Sequence, residues 1–158
     1  MKTATVYYSY TGTTEKFVNE IKSRLNCDVI EIKPEKDIKG KGFKSLIAGG
    51  FKAMMKSSPQ LMPYEFKADN YDLIIFASPV WAGAYAPAFR TFFKKEVIKN
   101  KKVSYLFTHR GGKGKTEKRF EEALAGNKIL PGCDINAKNN DKENFLKLAE
   151  WIKSTVEG

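Results

Sequence analysis

The chain is sparing with several residue types: two cysteines, one histidine and two tryptophans among 158 residues, and 18 acidic side chains against 28 lysines and arginines. Each scarcity excludes something. Cys27 and Cys133 lie far apart and form no CxxC pair, so neither a disulfide framework nor a thiolate metal site is expected. Two reduced, packed thiols in a cytoplasmic protein are the economical expectation. No apolar run approaches the roughly 20 residues that a membrane span requires. Met1-Lys2 leads straight into an apolar segment, so no secretory leader is expected. An apolar content of 42% excludes a disordered chain, and the length suits a single domain over residues 1–158.

The shortage of acid leaves a formal net charge of +10. Such a field draws anionic ligands, acidic partners or nucleic acid. The lysines are spread along the whole chain rather than gathered in one arm, and no aromatics interleave with them as a base-stacking platform would need.

Strand-like and helix-like segments alternate. Strands are expected over residues 4–8, 27–32, 73–77 and 103–107, with a weak one near Asp134-Ile135. Helices are expected over 14–25, 86–97, 116–125 and 142–156. Asp72-Leu73-Ile74-Ile75-Phe76-Ala77 is continuously apolar after its first residue, as in a parallel strand covered on both faces. The last helix carries Phe145, Leu148, Ala149 and Ile152 at 3–4 spacing, behind acidic Asp141 and Glu143. This rhythm predicts an open α/β sheet with right-handed crossovers. Residues 34–70 break it with Gly40, Gly42, Gly49, Gly50, Pro59 and Pro63 among many apolar side chains, and a helix over about 44–56 is expected there.

Ligands of such a sheet bind beyond the carboxyl ends of its strands, so the segment after each strand is the informative one. After the first stands Ser9-Tyr10-Thr11-Gly12-Thr13-Thr14, four serine and threonine hydroxyls, a tyrosine and a glycine leading into a helix. The first N–H groups of a helix lack intrahelical partners and carry the positive end of its dipole, which suits a phosphate. After the third stands Ser78-Pro79-Val80-Trp81-Ala82-Gly83, where an indole among small residues suits stacking on a flat aromatic ligand. After the fourth stands Thr108-His109-Arg110-Gly111-Gly112-Lys113-Gly114, whose glycines let the backbone approach a ligand. Gly114-Lys115-Thr116 imitates the end of a P-loop, but His109 occupies the position of that motif's first glycine.

Together these three loops resemble those of the flavodoxin family. The likeness implies a five-stranded doubly wound parallel sheet in order 2-1-3-4-5 with helices on both faces, and one noncovalent flavin mononucleotide (FMN). It implies that Ser9, Tyr10, Thr11, Gly12, Thr13 and Thr14 hold the phosphate. Ser78, Pro79, Val80, Trp81, Ala82 and Gly83 would line the flavin ring, with Trp81 stacked on it. Thr108, His109, Arg110, Gly111, Gly112 and Gly114 would run along its edge. Two departures stand out: typical members are acidic, and their third loop carries a second aromatic. Tyr85 or an aromatic from residues 43–66 would have to cover the other face.

A cation about 6 Å from the reduced, anionic flavin gains roughly 2–3 kcal/mol at an effective dielectric near 20, on the order of 100 mV. Arg110 or His109 would therefore make this flavin a milder reductant. The expected role is electron transfer with an acidic redox partner or a small-molecule donor or acceptor. An FMN-dependent NAD(P)H or quinone oxidoreductase is the alternative. A basic nucleic-acid module is the remote third reading, and it leaves the hydroxyl loop and Trp81 without a purpose. No membrane partner, metal or catalytic residue is expected.

Overall fold

The structure is a computed structural model that describes residues 1–36 and 56–156. A parallel sheet forms its centre. β1 (Thr3–Tyr7) lies between β2 (Asp28–Glu31) and β3 (Leu73–Trp81), and β5 (Lys102–His109) lies on the far side of β3. In register, Ala4 faces Ile74 and Asp28, and Leu73 through Pro79 run alongside Lys102 through Thr108. β1 is buried throughout and β3 from Leu73 to Ser78, as strands covered on both faces must be.

Alternation along these strands divides two cores. Ala4, Val6, Ile74, Phe76, Tyr105 and Phe107 point to one side, where α2 (Pro87–Lys95) and α3 (Thr116–Ala123) bring Phe89, Phe92 and Phe120. Tyr7, Leu73, Ile75 and Leu106 point to the other, where α1 (Thr13–Leu25) and α4 (Asp141–Trp151) bring Phe17, Ile21, Leu148 and Trp151. The helices start where their chemistry directs. Ser9 Oγ accepts the Glu15 N–H at 3.2 Å for α1, Pro87 opens α2, and Asn140 Oδ1 accepts the Glu143 N–H at 2.9 Å for α4. Beyond Trp151 the last helix widens into a π-helical turn, Ile152–Val156.

The fold class is the one expected, but the sheet has seven strands rather than five. Two differences account for the excess. β3 extends four residues past Ala77, and Ala82 and Gly83 turn it back into β4 (Ala84–Tyr85), paired antiparallel to Val80 and Trp81. Both turn residues have positive φ, +49° at Ala82 and +70° at Gly83, the signature of a tight hairpin whose twist matches its strands. The fifth position is also divided. β6 (Lys128–Ile129) and β7 (Cys133–Asn136) both pair parallel with β5, separated by Leu130, Pro131 and Gly132.

The break has a local cause. Pro131 has no N–H for the ladder, and its carbonyl takes the Ser104 hydroxyl and the Trp151 indole N–H, each at 2.7 Å. Gly132 passes so close to the Tyr105 ring that a Cβ there would lie 2.0 Å from Cε2. Tyr105 is itself fixed, stacked parallel to Phe120 at 5.2 Å and donating its hydroxyl proton toward Glu117 and Glu121. The helix expected over 44–56 falls almost wholly outside the described residues. Cys27 and Cys133 are both buried and free. Among the described residues no helix is long and apolar enough to cross a membrane.

Candidate functional site

The carboxyl ends of β1, β3 and β5 surround a cleft of about 240 Å³. One wall is the turn into α1, contributing Ser9, Tyr10, Thr11, Thr13 and Thr14. A second is the end of β3, with Pro79, Val80 and Trp81. The third is the end of β5, with Thr108, His109 and Arg110, joined by Ala137 just past β7. Three segments far apart in sequence thus meet because parallel strands all finish at one edge.

The first wall is rich in donors. Gly12 adopts φ +87°, which swings the chain into α1, and Ser9 serves the Glu15 N–H. The N–H groups of Thr11, Gly12, Thr13 and Thr14 have no acceptor among the described residues. The Thr11 and Thr13 hydroxyls lie 3.1 Å apart, and Thr14 Oγ1 makes a buried 2.9 Å hydrogen bond with Thr108 Oγ1. That last bond ties the first wall to the third.

The second wall is aromatic. Trp81 meets Tyr8 and Tyr10 edge-to-face, each with ring centres 5.6 Å apart. A flat ring inserted between two others needs about 7 Å, twice a van der Waals contact. Nothing therefore fits between Trp81 and Tyr10. Tyr85, one of the aromatics considered for the opposite flavin face, packs instead among Phe89, Phe93 and Phe120; of the alternatives in residues 43–66, those up to 55 lie outside the described residues. Tyr10 stands beside Trp81 in the cleft lining.

The third wall is polar and basic. His109 is nearly enclosed, its side chain 8% exposed. Its Nδ1 accepts the Gly112 N–H at 3.0 Å, and Nε2 lies 3.4 Å from Asp134 Oδ2. Asp134 Oδ1 accepts from Lys147 Nζ at 2.9 Å. Burial pushes the Asp134 carboxyl up, but the Lys147 ammonium and the His109 contact outweigh it and leave the group below its ordinary value. Arg110 is exposed and has no ion pair among the described residues.

Not every expected residue reaches the cleft. Ser78 is buried; its hydroxyl accepts the Ala86 N–H at 2.8 Å and bonds the Pro79 carbonyl at 2.9 Å, bracing the β3–β4 hairpin. Ala82 and Gly83 form the hairpin tip, and Trp81 stands at the end of a strand rather than on a loop. Gly114 packs against Gly83, so the second and third loops touch through bare backbone. Gly111 and Gly112 have open space where a Cβ would stand. Sequence reasoning missed Ala137, although it stands just beyond the weak fifth strand, at the same edge of the sheet as the three loops.

A doubly wound parallel α/β sheet with a hydroxyl-lined helix start, an aromatic strand end and a glycine-rich third loop at one edge defines a nucleotide-binding architecture. The model of the family described as Flavodoxin matches residues 2–155, and the chain belongs to that family. A flavoprotein in complex with FMN from Lactobacillus acidophilus NCFM is similar in structure, with TM-score 0.70 and 24% identity over 95% of this chain and 97% of that one. Two-electron reduced flavodoxin of Megasphaera elsdenii gives 0.61 at 16% identity, covering 94% and 96% of the two chains. The flavodoxin of Streptococcus pneumonia TIGR4 gives 0.62 at 13% identity, covering 97% and 96%. No curated protein matches the chain.

Proposed function

We propose that the cleft binds FMN noncovalently and that the protein passes electrons between redox partners. The observation that carries this reading is the start of α1. Four backbone N–H groups without protein acceptors among the described residues stand beside the Thr11, Thr13 and Thr14 hydroxyls, where a helix dipole adds partial positive charge. This set suits a phosphate dianion and needs no lysine. A cleft of about 240 Å³ is small for a whole nucleotide. It takes the phosphate and sugar-alcohol portion and leaves the flat ring against Trp81. The ring supplies reversible one- and two-electron chemistry when bound. The chain's own residues bind the phosphate, orient the ring through Trp81 and set the surrounding charge through Arg110.

The basic surface supports docking on an acidic partner, with a rate that falls as salt rises. Purified protein should show flavin absorption, or bind added FMN in calorimetry. A colourless protein that gives no heat with FMN refutes the reading. A steady-state assay with NAD(P)H and a quinone separates the two roles, since rapid turnover without a partner protein indicates an oxidoreductase.

A further inference from the structure

We propose that His109 is a positioning residue that ties the loop after β5 to the cleft only while its Nδ1 is unprotonated, so that acid loosens the loop and weakens cofactor binding. The cofactor part rests on the flavin reading above, while the tie itself is a property of the chain alone.

The geometry fixes the tautomer. A ring nitrogen that accepts an N–H cannot carry a proton, so the Gly112 contact at 3.0 Å leaves the single proton of the neutral ring on Nε2. That proton points toward Asp134 Oδ2 at 3.4 Å, and Asp134 is held from the other side by Lys147. The main chain of His109 is anchored separately, its carbonyl accepting the Ala137 N–H at 2.7 Å. The loop beyond it is exposed and passes through positive φ at Gly112 (+109°) and Gly114 (+53°). Among the described residues the loop's other hydrogen bonds lie at its far end, where the Lys113 carbonyl accepts the Thr116 N–H, the Lys115 carbonyl accepts the Arg119 N–H and Lys113 Nζ donates to Glu117 Oε2 at 2.6 Å. The imidazole is therefore the tie for the near half, which carries Arg110.

A second proton converts Nδ1 from acceptor to donor, facing another donor. The Gly112 N–H must then move away. Charged groups on the segments packed round the ring act in opposite directions. Asp134 on β7 favours the imidazolium. Lys147 on α4, Arg110 and Lys113 on the loop, and Lys138 just past Ala137 oppose it.

Two measurements test this. In ligand-free protein observed by nitrogen-15 NMR from pH 8 to 5, the Gly112 amide should shift together with the His109 ring nitrogens. Those nitrogens should show the Nε2–H form at high pH, and in His109→Asn the amide should stay still. In calorimetry with FMN, wild-type affinity should fall about 5-fold more than that of His109→Asn across the same range, the net worth of one hydrogen bond. The second phosphate proton, near pH 6, affects both proteins alike. Asp134→Asn should displace the midpoint to lower pH. A Gly112 amide indifferent to His109 titration, or identical pH profiles for wild type and His109→Asn, overturns the proposal. Failure of every form to bind FMN sinks the flavin reading instead, and the ligand-free amide then decides the tie by itself.

Discussion

Replacing Gly114 by alanine is expected to cost far more than replacing Gly83, although the two glycines touch each other. A Cβ on Gly114 would lie 2.7 Å from Gly83 Cα, and the residue has φ +53°. The left-handed backbone alone costs an alanine roughly 1–2 kcal/mol. Forcing two backbones apart adds roughly 1–3 kcal/mol, the usual range for overpacking. A Cβ on Gly83 would instead meet Lys115 N at 3.5 Å and Gly114 Cα at 3.7 Å, ordinary contacts, so only the cost of its φ of +70° applies. Gly114→Ala should thus lose about 2–5 kcal/mol and Gly83→Ala about 1–2 kcal/mol. At about 2–4 °C per kcal/mol for a chain of this size, their melting temperatures should differ by several degrees. Urea unfolding monitored by tryptophan fluorescence measures both. Equal losses refute the backbone-contact argument. Weakened FMN binding in Gly114→Ala at full stability also refutes it, by showing that the glycine serves the ligand and not the junction of two loops.

Gly132→Ala should lower stability by about 1–3 kcal/mol, because its methyl would stand inside the buried Tyr105 ring; a Tyr105→Leu background should relieve most of that loss in a double-mutant cycle. Asp134 is held below its ordinary value in the folded state, so its stabilisation is present above about pH 4 and disappears as the carboxyl takes up its proton. Asp134→Asn should accordingly be less stable at pH 7 by under about 1 kcal/mol, with the gap to wild type closing in more acidic urea titrations. Burial pushes the Cys133 thiol up to about 12, so folded protein should resist maleimide at pH 8 and react once unfolded. If the FMN reading holds, Arg110→Gln should lower the flavin potential by tens of millivolts, less than the roughly 100 mV of an unscreened cation, as read by redox titration.

Much of the fold was legible because it depends on local pattern. The continuous apolar run at 73–77 can only be a strand covered on both sides, and once the sheet is parallel its strand ends must share an edge. Eleven of the residues read from those ends do line the cleft. The departures come from contacts between distant parts of the chain. Trp81 reads as a loop residue because Ala82 and Gly83 are small, yet these are the residues that close a hairpin and carry β3 on to Trp81. The divided fifth strand depends on Tyr105 passing over Gly132, a meeting that no window of sequence contains. Tyr85 is drawn away from the cleft by Phe120 on α3. His109 stands with Arg110 after the fourth strand in the sequence, which shows nothing of its partner Asp134, 25 residues away.

The interrupted fifth strand also governs how the molecule meets its neighbours in a crowded solution. A long bare border on a sheet invites another chain to extend the ladder. Here one border is cut by Pro131, whose carbonyl is already occupied by Ser104 and Trp151. The opposite border, β2, runs for only four residues and begins and ends with a carboxylate. The described residues therefore offer little template on either flank for fibrous growth on the folded form.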